Sequence, residues 1–146
     1  MIIVFDMDNT LVDEFGAATR PGMVVLLETL RADGHTLVLW TNSRRDRAVE
    51  ILRLHDLRRH FKAVVCREDY DPKDEGLPKD IRRIRGDLLV DDSPEEVAYV
   101  KSIGRLGYLV RPFRKGTLAR AGAGDLQDLR SYVRKAAAHP AGRSRR

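Results

Sequence analysis

Val4-Phe5-Asp6-Met7-Asp8-Asn9-Thr10-Leu11-Val12 organises the rest of the chain. The apolar run that leads into it, residues 2–5, reads as a short buried strand. That strand ends at two carboxylates spaced i, i+2, with no Gly or Pro between them. If the strand ran on past Phe5, Asp6 and Asp8 would point the same way. Like charges held so close repel, so the site needs either a cation or a proton on one carboxyl. Those are the needs of metal-assisted phosphoryl transfer, with one carboxylate attacking phosphorus and the other handling a proton. Taken alone, an Asp-x-Asp at a strand end also reads as turn capping. Three further clusters, met in order along the chain, favour the chemical reading.

Residues 13–19 are polar and contain a Gly, which suits a loop or small flap. Arg20-Pro21-Gly22 is expected to open a helix with Pro in its first turn, and Val24, Leu27 and Leu30 give that helix an apolar face. Asp33-Gly34 ends it, and residues 36–40 form a nearly all-apolar strand, as a central parallel strand should be. Thr41-Asn42-Ser43 follows, then a helix over 44–55, an extra turn over 57–61 and a third strand over 63–66. Residues 67–78 read as an irregular loop and 79–85 as a short helix. A fourth strand over 87–90 runs into Asp91-Asp92-Ser93-Pro94, where Ser93 is placed as N-cap and Pro94 at the first helical position. Glu95 and Glu96 suit the first turn. A fifth strand over 106–110 and a Gly-containing loop lead to a last helix over 126–138. Strand and helix alternate throughout. That pattern predicts an α/β fold with a parallel sheet of about five strands and helices on both faces. Residues 1–138 are expected to form a single domain, and 139–146 a basic, disordered tail.

The 146 residues carry 42% apolar and 34% charged side chains, which suits a soluble globular protein. No run approaches the roughly 18 apolar residues of a membrane span, so no membrane partner is expected. Residues 1–4 enter the first strand at once, so no signal peptide is expected and a cytoplasmic location is the default. The single cysteine, Cys66, excludes an intrachain disulfide and a cysteine zinc cluster. The net charge of +5 draws on Arg143-Ser144-Arg145-Arg146 and on arginines placed on helix faces, among them Arg44, Arg45, Arg47 and Arg53. A positive surface favours anionic substrates, although the basic segments lack the interleaved aromatics of a nucleic-acid reader.

In open parallel sheets the working site lies beyond the carboxyl ends of the strands. Four clusters are predicted there: Asp6/Asp8, Thr41/Asn42, Lys79 and Asp91/Asp92. Phosphoryl transfer needs an in-line nucleophile, a cation on the equatorial oxygens, hydrogen-bond donors and a proton for the leaving oxygen. Asp6 is expected to be the nucleophile. Asp8 is the acid for the leaving group and then the base for water. Thr41, Asn42 and Lys79 would bind the phosphoryl oxygens. Asp6, Asp91 and the main-chain carbonyl of Asp8 would hold Mg²⁺. Asp92 is expected to orient Lys79 or a metal-bound water.

Asp6-x-Asp8-x-Thr10, Thr41, Lys79 and Asp91-Asp92 together resemble the four motifs of the haloacid dehalogenase (HAD) superfamily over residues 2–110. The resemblance implies a Rossmann-like three-layer sandwich, Mg²⁺ and an aspartyl-phosphate intermediate. An Asp two residues after the nucleophile is the phosphatase pattern of that superfamily, and Thr10 would support the loop that carries it. Asp8 to Thr41 is 33 residues and Thr41 to Lys79 is 38, too short for an inserted cap domain. Capless members often act on large substrates. Arg20-Pro21-Gly22, Leu39 to Ser43, Lys79-Asp80 and Val90 to Pro94 are similar to the small FCP/SCP, or NLI-interacting-factor-like, phosphatases. Asn9 stands where that branch usually has Glu, and Asp92 where it commonly has Asn.

The expected activity is therefore Mg²⁺-dependent hydrolysis of a phosphomonoester. The expected partner is a bulky phosphorylated substrate, a phosphoprotein or a nucleic-acid end, with a sugar or nucleotide phosphate as the alternative. A receiver-like phosphoaccepting domain uses similar residues, but there the acidic pair comes first and Lys last. Here Asp91-Asp92 follows Lys79.

Overall fold

The computed structural model describes residues 1–117 and 123–139. Among these residues there are five strands, β1 (Ile2–Phe5), β2 (Thr36–Trp40), β3 (Ala63–Val65), β4 (Leu88–Asp91) and β5 (Leu106–Leu109). Five helices accompany them, α1 (Met23–Ala32), α2 (Arg45–Leu54), α3 (Arg67–Tyr70), α4 (Pro94–Ser102) and α5 (Ala123–Ala138). The strands form one parallel sheet in the order β3-β2-β1-β4-β5. The predicted α/β, Rossmann-like sandwich is what is found.

Alternation along the strands divides the core. Ile3, Phe5, Leu37, Leu39, Leu88 and Val90 face a layer built from α1, α2 and α5. Val4, Val38, Trp40 and Leu89 face the other layer, with Tyr70 of α3 and Val100 of α4. The chain thus winds over one face from β1 to β3, then crosses to the other for β4 and β5. The reversal lies between β1 and β4, where a crevice opens at the strand ends.

Several expectations about local structure are corrected. Pro21 is outside α1, which begins at Met23 behind Gly22 in the left-handed region at φ 79°. A side chain at position 22 would be strained there. Residues 67–70 form α3 rather than loop, because Asp69 Oδ2 accepts the Cys66 N–H at 2.8 Å and closes the first turn. Tyr70 then packs edge-on against Trp40, ring centroids 5.1 Å apart. The following segment is stitched by buried Asp71, which accepts the N–H groups of Glu75, Gly76 and Leu77. Lys79 precedes its helical turn instead of opening it. Asp80 caps a 3₁₀ turn over Ile81–Ile84. Asp91 is the last residue of β4 rather than the first after it. The last helix begins at Ala123, and all of the expected basic tail beyond residue 139 lies outside the described residues.

Among the described residues, no inserted domain stands between β1 and α1 or between β3 and β4, and no cap covers the strand ends. Among the described residues, no helix is long and apolar enough to cross a membrane.

Candidate active site

β1 and β4 are neighbours in register, so the residues at their ends meet. Asp6 follows β1 and is tied to β4 by one bond, its N–H donating to the Val90 carbonyl at 3.0 Å. Asp91 closes β4. Lys79 arrives from the crossover loop and places its Nζ between them, 2.8 Å from Asp6 Oδ1 and 2.8 Å from Asp91 Oδ2. All three side chains are buried. The Lys79 backbone is itself held, its N–H donating to Glu96 Oε2 on α4 at 3.0 Å.

Burial drives the charges of this cluster. It pushes the Asp6 carboxyl up to about 6, against the pull of Lys79. Asp91, Asp92 and Glu96 are also raised, chiefly by burial. Burial alone would lower Lys79, but Asp6 and Asp91 outweigh it and hold the ammonium well above its ordinary value.

The loop after Asp6 is a tight knot. The N–H groups of Thr10, Leu11 and Val12 converge on the Met7 carbonyl at 3.3, 2.9 and 3.2 Å. Asn9 takes the left-handed conformation at φ 63°, which Asn tolerates better than most residues. The knot brings the Thr10 hydroxyl to 3.2 Å from Asp6 Oδ2, with Asp92 Oδ1 at 3.4 Å. Thr41, buried at the end of β2, accepts the Ser43 N–H on its hydroxyl at 3.0 Å. Thr41, Asn42 and Ser43 line the same cleft, of about 480 Å³, as Asp6, Lys79 and Asp92.

The strand does not run on past Phe5, and Asp6 and Asp8 diverge. Asp6 turns to Lys79. Asp8, also in the cleft, is gripped at both oxygens by Arg47, at 2.7 and 2.9 Å. From the sequence Arg47 reads as one of the arginines on a helix face, whereas the structure turns it into the cleft. Its position four residues after Ser43 on α2 is the available signal, since that spacing returns a side chain to the same face. Glu96 reads in the sequence only as a first-turn acid, and the structure makes it the anchor of the Lys79 backbone.

Oxygens of Asp6, Asp91 and Asp92 all lie within 4.8 Å of one another. Three carboxylates on one side of a cleft are hard oxygen donors suited to Mg²⁺. Asp92, expected to act on Lys79 or a bound water, stands among these candidate ligands.

The sequence pattern described as NLI interacting factor-like phosphatase matches residues 1–140. Solved structures with the same fold include a HAD-superfamily hydrolase from Ehrlichia chaffeensis at 12% identity and a TM-score of 0.66. That alignment covers 91% of this chain and 95% of that one. A D,D-heptose 1,7-bisphosphate phosphatase from B. bronchiseptica, complexed with magnesium and phosphate, aligns at 16% identity and a TM-score of 0.59, covering 92% and 98%. A chain of a Pnkp1/Rnl/Hen1 RNA repair complex aligns at 14% identity and a TM-score of 0.56, covering 75% of this chain and 42% of that one. No curated protein matches the sequence.

Proposed function

The chain belongs to the NLI interacting factor-like phosphatase family, and from that membership we propose that it hydrolyses phosphomonoesters with Mg²⁺ through a phosphorylated Asp6. The observation that carries the reading is the buried Asp6–Lys79–Asp91 cluster at the crevice between β1 and β4.

Asp6, Asp91 and Asp92 would hold the ion, with the Asp8 carbonyl as a further donor. Bound Mg²⁺ supplies charge to the phosphoryl oxygens and lets the carboxylates ionise together. Asp6 attacks phosphorus as the ester oxygen departs. Asp8 gives that oxygen its proton, then takes one from the water that cleaves the acyl phosphate. Thr41 and the N–H groups after it donate to the phosphoryl oxygens, and Lys79 neutralises charge that builds on them. Thr10 keeps the unattacking oxygen of Asp6 oriented. The absence of a cap supports a bulky substrate. The HAD-like neighbours are compatible with either a macromolecule or a small phosphate.

Hydrolysis of p-nitrophenyl phosphate with Mg²⁺ or EDTA, by the parent and by Asp6→Asn, tests this. The expected result is metal-dependent turnover that the variant lacks. Equal activity in the two proteins would remove Asp6 as nucleophile. A lasting acyl phosphate after exposure to acetyl phosphate would indicate a phosphoaccepting domain instead.

A further inference from the structure

Both terminal nitrogens of Arg47 are spent on one carboxylate, that of Asp8. Nη1 also reaches Ser43 Oγ at 2.9 Å. A two-point grip of this kind is how a guanidinium takes a carboxylate or a phosphate. The pair stands inside the cleft, and the Arg47 side chain is 40% exposed. An incoming anion can reach it. An ion pair this accessible is weakly held and exchanges readily.

Charge in the cleft is divided. Asp6, Asp91 and Asp92 stand at the ends of β1 and β4. Toward β2 and β3, Arg47 enters from α2 and Arg67 from α3, beside Asp71, whose oxygens already accept the N–H groups of Glu75, Gly76 and Leu77. Arg67 Nε donates to the Asn42 carbonyl at 2.9 Å, and Asp74 lies 3.7 Å from its Nη1. Hydrolysis of a plain phosphomonoester accounts for the acidic half of this arrangement and leaves the two guanidiniums unused.

We propose that Arg47 anchors a second anion subsite, at which a phosphate group of the substrate, next to the one being hydrolysed, takes the place of Asp8. The inference rests on the phosphatase reading above and adds a substrate class. The substrate is a phosphomonoester flanked by another phosphate, as in a bisphosphate metabolite or at the phosphorylated end of a nucleic-acid strand. Exchanging one anion for another keeps Arg47 neutralised throughout. It also frees both oxygens of Asp8 to approach the leaving group. A substrate lacking the second anion must break the pair without replacement, so the flanked substrate assembles its own proton donor. The net charge of +5 favours encounter with such polyanions.

The test measures kcat/KM with Mg²⁺ for four probes: p-nitrophenyl phosphate, a nucleoside 3′,5′-bisphosphate, a short oligonucleotide with a terminal phosphate, and a phosphopeptide without acidic neighbours. Parent, Arg47→Ala and Arg47→Lys are compared. The parent should favour the flanked phosphates over p-nitrophenyl phosphate by at least about tenfold. Arg47→Ala should lower that ratio by about ten- to a hundredfold, through KM. Arg47→Lys should recover only part of it, because an ammonium cannot grip two oxygens. Preference for the oligonucleotide assigns the flanking phosphate to a nucleic-acid end, and preference for the bisphosphate assigns it to a metabolite. An equal loss on all probes in Arg47→Ala, or a phosphopeptide as best substrate, overturns the subsite. Calorimetric binding of the same probes to Asp6→Asn, with and without Arg47→Ala, separates the two readings. Tighter binding of flanked phosphates that needs Arg47, without turnover by the parent, would leave the subsite and remove the phosphatase. Turnover of p-nitrophenyl phosphate with no flanked preference in either assay would do the reverse.

Discussion

Lys79 is the residue on which the site balances. Its ammonium is buried between two carboxylates, and removing it leaves both buried without their cation. Lys79→Met should cost about 3–5 kcal/mol in chemical denaturation, because unpaired buried charge is expensive. Mg²⁺ should restore part of the loss, and a variant as stable as the parent would show that the cluster is not ionised. Asp6 provides a second check. Burial holds its carboxyl at about 6, so the metal-free protein takes up a proton there as pH falls through that value. An ion held by Asp6 would bind the ionised form, so Mg²⁺ affinity should be near its plateau well above pH 6. Below it, affinity should weaken by about tenfold per pH unit. Calorimetric titrations at pH 5 and pH 7 in several buffers would read both the affinity and the released proton. Unchanged affinity would separate Asp6 from the metal.

Elements matter here by where they deliver side chains. The 3₁₀ turn over Ile81–Ile84 sits between Lys79 and β4 and is held close to the sheet at Gly86, whose N–H donates to the Ile81 carbonyl at 2.8 Å. A Cβ at position 86 would stand 2.9 Å from Ile81 Cβ, 2.9 Å from Val4 Cγ2 and 3.1 Å from the Ile81 carbonyl. Neither the turn nor β1 can yield cheaply. Gly86→Ala should therefore destabilise by about 1–3 kcal/mol, read as a lower denaturation midpoint. It should also reduce kcat, since Lys79 lies two residues before the turn. On the other side, Ser93 caps α4 by accepting the Glu96 N–H at 3.3 Å, while its own N–H donates to Asp91 Oδ1 at 3.0 Å. The cap and the site share a junction, so helix α4 positions Glu96, and Glu96 positions Lys79.

At the scale of the molecule, a sheet buried on both faces serves as a rigid base for an uncovered edge. Within the layer of α1, α2 and α5, no described residue of α5 lines the cleft, so the packing of that helix can be weakened without touching the chemistry. Leu129 of α5 is fully buried in that layer. Leu129→Ala should cost about 2–5 kcal/mol and lower Tm, with kcat unchanged at temperatures where the protein remains folded. A matching fall in kcat there would mean that α5 supports the site. Arg20 ties this layer to the loop beside the site. Its Nη2 donates to the Arg111 carbonyl at 2.8 Å, and Asp125 of α5 lies 3.7 Å away.

Much of this was legible in the sequence. All five strands, their parallel arrangement and the placement of Asp6, Thr41, Lys79 and Asp91 near one edge follow from apolar runs of strand length ending in polar clusters. Such patterns are local, and burial on both faces makes them unambiguous. Cap chemistry at Ser93-Pro94 was equally local. The short helix α3 was not legible, since it depends on an Asp69 side chain closing a turn in a charged stretch, and on Tyr70 finding Trp40 across the fold. Nor was the parting of Asp6 and Asp8. Their spacing along the chain is the same whichever way they turn, and Lys79 and Arg47 come from distant positions to claim one each. Which residues reach the sheet edge can be read from the chain, because hydrophobic period and the alternation of strand and helix dictate it. Which charge meets which emerges only in the folded molecule, because pairing depends on the direction of side chains that close packing, and not sequence spacing, sets.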